Sequence, residues 1–175
     1  FSKTLSITPI RKNDAPVNNA PSAITGIQED AVNNSGSLVS GFLSSTDVDA
    51  GAVNGIAVTA TDNSHGAWQY STDNGGTWAA FGTPTDAAAR LLRSSDMVRF
   101  VPAADFSGTA TITYRAWDRT SGAVGSTADL SATTSYGANK AVANGDETAF
   151  SDTKRTASIT VAAVNDAPVL TAAAP

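Results

Sequence analysis

The chain has 175 residues, of which 41% are hydrophobic and only 15% are charged, as expected for one sandwich-sized domain with a real core. Its net charge is −5 without a basic patch, which argues against nucleic acid and anionic membrane surfaces as partners. No apolar run approaches the roughly 18 residues that span a bilayer, and the absence of cysteine excludes disulfides and thiolate metal sites.

The first predicted element is a strand near the N-terminus that the chain repeats near its C-terminus. Residues 2–17 (SKTLSITPIRKNDAPV) align without a gap with residues 154–169 (KRTASITVAAVNDAPV), and nine of the sixteen positions are identical. Apolar residues alternate with Ser and Thr in both copies, which is the pattern of a half-buried strand. Both copies then reach Asn-Asp-Ala-Pro, where the proline ends the hydrogen-bond ladder and a short extended linker begins.

This duplication predicts how the chain is divided. Residues 1–16 would hold the closing strand of a preceding repeat and the junction linker. Residues 17–164 would form one complete β-sandwich repeat, and residues 165–175 would begin the linker to the next repeat. On this interpretation, the closing strand and the junction occur twice because the chain would come from a tandem array.

Between the two copies, short apolar stretches alternate with turn residues and predict a series of strands. They lie near residues 24–28, 37–43, 56–60, 68–70, 97–101 and 109–117. The run 73–76 (Asp-Asn-Gly-Gly) predicts a tight hairpin turn. Residues 87–93 fit either a helical turn or a strand. Residues 119–152, rich in Ser, Thr, Gly and Ala, predict a long insertion or loop with one irregular strand near 128–133. Many short strands predict an all-β sandwich.

Five segments together form an ordered pattern that covers most of residues 13–169. They are 68–78 (WQYSTDNGGTW), 98–102 (VRFVP), 105–109 (DFSGT), 114–118 (YRAWD) and the junction 164–169 (VNDAPV). This set resembles the cadherin-like and immunoglobulin-like tandem repeats of very large bacterial adhesins that leave the cell by type I secretion, the RTX kind. The resemblance implies a Greek-key β-sandwich in an extracellular protein of a bacterial surface or secreted matrix.

The resemblance also implies Ca²⁺ between neighbouring repeats. Ca²⁺ takes about six to eight oxygen ligands, so two domains share an ion only if the linker offers oxygens. Asn13 and Asp14 lie in the linker that enters the unit. Asp47 and Asp49 resemble the family's Asp-x-Asp pair, whose carboxylates point the same way in an extended segment. Asp118 resembles the family's later Ala-x-Asp ligand and would complete this site.

A second set would face the far end of the unit. Glu29, beside Asp30, resembles the acidic ligand that follows the junction, and it would act with Asn165 and Asp166. The family's Asp-Arg-Glu ligand motif has no match here, so one or two ions per junction are expected rather than three. Asp and Asn near turns often only cap backbone amides, and this alternative stays open for every candidate.

Other site chemistry has little support. His65 is the only histidine, and no partner spacing around it indicates a triad or a zinc site. Trp68, Tyr70 and Trp78 fit either a sugar-stacking platform or, more commonly, internal packing. No nucleophile, base and orienting group occur together, so an enzyme is not expected.

The sequence therefore favours a calcium-stiffened extender repeat that holds a distal ligand-binding domain away from the cell, with neighbouring repeats of the same polypeptide as partners. One alternative is a self-assembling filament or matrix subunit, in which strand 1–10 pairs with an exposed sheet edge of another molecule. Another is a glycan- or protein-binding adhesin module that uses the aromatic hairpin or residues 119–152.

Overall fold

The computed structural model of the chain describes residues 12–131, 133–136, 139–142, 145 and 147–167. The predicted strand at residues 1–10 lies outside these ranges. The strands are β1 (Val17–Asn18), β2 (Ile24–Gln28), β3 (Ser37–Leu38), β4 (Ser45–Thr46), β5 (Gly55–Thr61), β6 (Gly66–Ser71), β7 (Ala79–Ala80), β8 (Ala89–Arg93), β9 (Met97–Pro102), β10 (Gly108–Trp117), β11 (Thr127–Ala128), β12 (Thr133–Tyr136), β13 (Asn139–Val142) and β14 (Phe150–Ala162). Within the described ranges no helix is long and apolar enough to cross a membrane.

The larger sheet has six strands in the order β11-β8-β5-β10-β14-β2. Its longest pairing joins β10 to β14 in antiparallel register, from Gly108 opposite Val161 to Trp117 opposite Phe150. The strand β2, which comes early in the chain, pairs in parallel with the closing strand β14 at the sheet edge. The smaller sheet has four strands in the order β3-β9-β6-β7. Two further pairings join β1 to β4 and β12 to β13.

The main core lies between the two sheets. Alternating residues of β10, namely Ala110, Ile112 and Tyr114, point into it, as the period-two pattern predicts. From the smaller sheet, Trp68 packs on Phe100 with ring centroids 5.4 Å apart. Because residues of both sheets share this one cluster, the sheets pack face to face, an arrangement consistent with a β-sandwich.

A second apolar cluster lies on the outer face of the larger sheet. Its buried members are Ala57, Ala89, Leu91, Trp117, Leu130, Ala149 and Phe150. The sheet can bury both faces because β5 carries the apolar run Ile56-Ala57-Val58 and β8 the adjacent pair Leu91-Leu92, so neighbouring residues on opposite faces are both apolar. In β8, for example, Leu92 belongs to the main core and Leu91 to the second cluster. Described residues of the covering segment, which we define as residues 119–149, therefore form a third layer over this sheet.

The prediction of a strand near residues 37–43 is wrong after Leu38. Strand β3 ends at Leu38, and a short 3-10 turn at Val39–Gly41 follows. The N–H groups of Phe42 and Leu43 both donate to the carbonyl of Val39, at 3.2 and 2.9 Å. Apolar residues at positions 39, 42 and 43 have the i, i+3, i+4 spacing of one helical turn, which explains the difference.

The described residues of two further segments, 87–93 and 119–152, have defined secondary structure. Residues 89–93 form a strand, β8, preceded by an isolated bridge between Thr85 and Ala88. The predicted loop 119–152 is shorter than expected, since β14 already begins at Phe150, and it contains β11 and the hairpin of β12 and β13.

The hairpin between β6 and β7 confirms the prediction from Asn-Gly. Asn74 and Gly75 have positive φ angles of 59° and 85°. Inside the turn, the carboxylate of Asp73 accepts hydrogen bonds from the Thr77 amide at 2.8 Å and from the Ser71 and Thr77 hydroxyls, each at 2.7 Å. These contacts tie the loop to its own acidic residue.

A titration of Asp73 tests this turn. The Thr77 amide, then the Ser71 and Thr77 hydroxyls, lower the pKa of Asp73 from 3.8 to about 2. Because the pKa is lower in the folded state, the stabilisation is complete above 3.8 and is lost as the pH falls through about 2. We expect Thr77→Val to raise the pKa part of the way, measured by NMR titration of the carboxyl carbon. The exposed Thr83→Val is the control, and an unchanged pKa in Thr77→Val would contradict the assignment.

Candidate functional site

Strand direction places the predicted site residues at two opposite poles of the unit. At the N-terminal pole, β10 ends and Asp118 follows it directly, while Asp47 and Asp49 follow β4. At the C-terminal pole, β2 ends just before Glu29 and β14 ends before the second junction, residues 163–167. Each pole therefore receives one copy of the Asn-Asp-Ala-Pro motif.

Asp118 holds the linker at the N-terminal pole. The residue is buried, being only 3% exposed. One oxygen, Oδ2, accepts a hydrogen bond from the side-chain amide of Asn13 at 2.8 Å, and that amide also donates to the carbonyl of Thr148 at 3.0 Å. The other oxygen, Oδ1, accepts from the Thr120 N–H and hydroxyl at 2.8 and 2.6 Å. These donors compensate the cost of burying the charge.

The Asp-x-Asp pair forms a second contact with the linker. The backbone N–H of Asp14 donates to Asp49 Oδ2 at 2.8 Å, and the N–H of Asp49 donates to Asp47 Oδ1 at 2.8 Å. The second carboxylate oxygen of Asp47, Oδ2, is buried and accepts no hydrogen bond. An orphaned buried carboxylate oxygen is costly unless a donor or a cation compensates it.

These residues meet in one open pocket of about 420 Å³. Its lining comprises Lys12, Asn13, Asp47, Asp49, Ala50, Gly51, Ala52, Val53, Asp118, Arg119 and Thr120. The structure thus brings together four of the predicted ligands, and it adds Asp14 through the backbone contact to Asp49. Lys12 points to Glu147, with Nζ 2.7 Å from Oε1.

The donor chemistry of this pocket suits a hard cation. Carboxylate, amide and hydroxyl oxygens are what Ca²⁺ prefers, and the orphaned oxygen of Asp47 is a ready ligand. Nevertheless, no group of three or more His, Cys, Asp or Glu side chains in the described part of the chain is close enough to hold a metal ion. A bound cation would be held first by Asp47 and Asp49, because both carboxylate oxygens of Asp118 already accept hydrogen bonds from neutral donors.

At the C-terminal pole, Glu29 fastens the second junction to the body of the unit. Its side chain is buried, being 6% exposed, and Oε1 accepts a hydrogen bond from the N–H of Val164 at 2.6 Å. The side-chain amide of Asn165 lies 3.4 Å from the carbonyl of Asp166. The same contact spans 3.5 Å between Asn13 and Asp14. The two copies of the motif therefore share a local geometry.

Several carboxylates crowd this second pole. The pKa of Asp166 is raised, first by desolvation and then by the charges of Asp105, Asp30 and Glu29. Asp105 was not predicted as a site residue. It lies in the turn between β9 and β10, and only the folded arrangement of that turn beside the end of β2 reveals its proximity. A positive φ of 58° at Asp105 marks the turn.

The aromatic residues do not form a common exposed face. Trp68 is buried in the main core, and Tyr70 packs on Phe81 with centroids 5.0 Å apart. Trp78 is covered by the guanidinium of Arg99, which lies 4.3 Å from the ring centroid. This favours internal packing over a sugar-stacking platform.

The chain is thus a nearly all-β protein with acidic residues at both poles, and residues 13–16 and 165–167 place the first copy of the Asn-Asp-Ala-Pro motif at one pole and the described part of the second copy at the other. Comparison with known protein families, with curated proteins and with solved structures finds no match to it. Its function is therefore inferred from the duplicated junction and from the geometry of the poles.

Proposed function

We propose that this chain is a calcium-stiffened extender repeat of a secreted bacterial surface adhesin, with a cadherin-like or immunoglobulin-like Greek-key fold. The observation that carries the proposal is the docking of the linker at the N-terminal pole. Asn13 binds Asp118 and Asp14 binds Asp49, so the segment joining two repeats is held by the unit that follows it. The identical motif leaves the opposite pole in position to do the same for the next unit.

Charge supports a role for a divalent cation at each junction. The acidic residues at the poles are Asp14, Asp47, Asp49 and Asp118 at one end and Glu29, Asp30, Asp105 and Asp166 at the other. In a head-to-tail array these two sets face each other across a short linker. Like charges at such distances repel unless a cation lies between them. The second junction copy carries Val164 where the first carries Lys12, so a joint built from it keeps only Arg119 of the two cationic side chains that line the N-terminal pocket.

Calcium, when bound, would supply positive charge and a coordination shell shared by two units. The residues of this chain would have two different roles in such a joint. Asn13 and Asp118 set the direction in which the linker leaves the pole. Asp47 and Asp49 present carboxylates beside that linker. A joint held in this way bends less than a free linker of a few residues.

A two-unit protein tests the proposal. Joining Val164 of one copy to Asn13 of a second reproduces the natural junction, because residues 13–17 and 165–169 are identical. We expect small-angle X-ray scattering to show a longer and less variable particle in a few millimolar Ca²⁺ than in EDTA, since extracellular modules bind Ca²⁺ at about 10⁻⁴–10⁻³ M.

The control for this experiment is the same protein with Asp47→Asn and Asp49→Asn in the second unit only. That variant should scatter alike in both buffers. An unsubstituted two-unit protein whose dimensions do not change with Ca²⁺ would show that the joint is not stiffened by the ion.

The smaller sheet favours an extender over a filament that grows by strand exchange, because its edge strands β3 and β7 have only two residues each and side chains cover the parts of β9 and β6 that extend past them. The side chain of Asn34 donates to the carbonyl of Phe100 on β9 at 2.8 Å. The side chain of Asn63 accepts from the N–H of Trp68 on β6, also at 2.8 Å. Side chains therefore occupy edge positions that an incoming strand would need.

A further inference from the structure

The N-terminal pole carries exposed valines beside its carboxylates. Val48 is 81% exposed, Val17 59% and Val53 47%. Val17 and Val48 line one shallow depression together with Ala15, Thr46 and Asp47, and we call its three apolar residues, Ala15, Val17 and Val48, the valine ridge. Single exposed apolar residues are ordinary on protein surfaces. Two strongly exposed valines side by side, next to the point where the linker arrives, indicate a surface that is covered in the assembled protein.

Local geometry explains how acids and valine share one segment. Val48 lies between Asp47 and Asp49 in a bend, not in the extended segment that the sequence predicted, and the bend is closed by the hydrogen bond from the Asp49 N–H to Asp47 Oδ1. The two aspartates are half-buried against the pocket, so Val48 is directed outwards. The Asp-x-Asp segment therefore presents carboxylates to the pocket and, directly beside them, a hydrocarbon surface to solvent.

We propose that the valine ridge is the docking surface for the C-terminal pole of the preceding unit of the same polypeptide. This inference rests on the extender function proposed above. Residues 2–10 align with residues 154–162, the last part of the closing strand β14, and residues 11 and 12 lead to Asn13, which is bound to Asp118. Residues 11–16 therefore separate that predicted strand from Val17. Six extended residues span about 20 Å, so the end of the preceding unit lies within reach of the ridge.

The size of the ridge also indicates a tethered occupant. Stable complexes between free proteins bury about 1,200 Å² or more, which three small side chains do not approach. A neighbour joined by a short linker has an effective concentration in the millimolar range or above, so a weak contact is sufficient. The C-terminal pole offers apolar surface of its own, since Val32 is 47% exposed two residues after Asp30.

The test uses the two-unit protein with Val48→Ser placed in either unit. In the second unit Val48 faces the junction, whereas in the first unit the same residue faces solvent, so the two variants are matched. The chain has no cysteine, and Ala80→Cys in both units gives a dye pair for single-molecule energy transfer. We expect the ratio of docked to undocked molecules to fall about five-fold for the second-unit variant, from the lost burial of one valine. The first-unit variant should match the unsubstituted protein.

Equal populations for the two placements would overturn the ridge as a docking surface. Because Val48 is 81% exposed, both variants should melt like the parent, which excludes a folding defect as the cause. Measuring in Ca²⁺ and in EDTA separates this inference from the proposed function. If Val48→Ser loosens the joint although Ca²⁺ does not stiffen it, the ridge is supported and calcium is not. If Ca²⁺ stiffens the joint and Val48→Ser changes nothing, the ridge is overturned and the calcium proposal stands.

Discussion

Replacing Trp117 with alanine is expected to lower the free energy of unfolding by about 3–5 kcal/mol, the usual cost of removing a large buried aromatic side chain. Trp117 is 1% exposed and stacks on Phe150 with ring centroids 6.4 Å apart. Its indole N–H donates to the carbonyl of Ser121 at 2.7 Å. Trp117 on β10 therefore contacts both the closing strand β14 and the covering segment.

The effect should extend to the N-terminal pole. Asp118 follows Trp117 directly, and the N–H of Asp118 donates to the carbonyl of Ala149 at 3.0 Å. Loss of the indole leaves a cavity between the sheet and the covering segment, and we expect residues 119–149 to become more sensitive to protease than the rest of the unit. Their anchorage to Asn13 through Asp118 and Thr148 should weaken as well.

Guanidinium unfolding followed by circular dichroism measures the loss, with Trp78→Ala as the control. Trp78 is only half-buried, and its main partner is Arg99, 4.3 Å above the ring. A cation–π contact at such a site contributes about 0.5–1 kcal/mol, so the control should lose much less stability than Trp117→Ala. Similar losses for the two variants would show that the second cluster is not a core.

Strands in which apolar and polar residues alternate could be predicted from the sequence, whereas strands buried on both faces by separate layers could not. The period-two pattern of β10 predicted both its extent and its buried face. The adjacent leucines of β8, Leu91 and Leu92, did not distinguish a strand from a helical turn. Each belongs to a different apolar cluster, and only the covering segment buries Leu91. That segment is poor in large apolar residues, so its few contacts, such as Leu130, do not stand out in a pattern.

The candidate site divides in the same way. Asn13, Asp47 and Asp118 could be named from motifs, and the structure brings them to one pocket. Their hydrogen bonds could not be predicted, because the contact of Asn13 with Asp118 depends on how far the linker folds back. Asp105 and the exposed position of Val48 were missed. Both depend on separate loops that meet at one end of the sandwich, and such a meeting leaves no periodic pattern in the sequence.

Calcium should stabilise the single unit, and the paired substitution Asp47→Asn with Asp49→Asn should remove that effect. A ligand present at 100 times its dissociation constant contributes about 2.7 kcal/mol, which raises the melting temperature of a chain of this size by about 5–10 °C. Thermal melts in Ca²⁺ and in EDTA measure the difference. The unsubstituted chain should show the full rise and the doubly substituted chain almost none.

Asparagine is the informative replacement because it separates the two roles that these aspartates can have. Its side-chain oxygen can still accept the N–H of Asp49 and the N–H of Asp14, so a capping role survives the substitution. The negative charges do not survive it. In EDTA the double variant should therefore be as stable as the parent or slightly more stable, since like charges at the pole are relieved. In Ca²⁺ it should be the less stable of the two.

This reversal of order distinguishes a metal site from a set of turn caps. Asp129→Asn provides the matched control, because Asp129 caps a turn in the same way, accepting the N–H of Ser131 at 2.9 Å, but belongs to the covering segment. Its response to Ca²⁺ should equal that of the parent. If the parent and the double variant keep the same order of stability in both buffers, the Asp-x-Asp pair only caps the backbone. Residues 13–16 would then be held at the pole by the hydrogen bond of Asn13 to Asp118 without a metal ion.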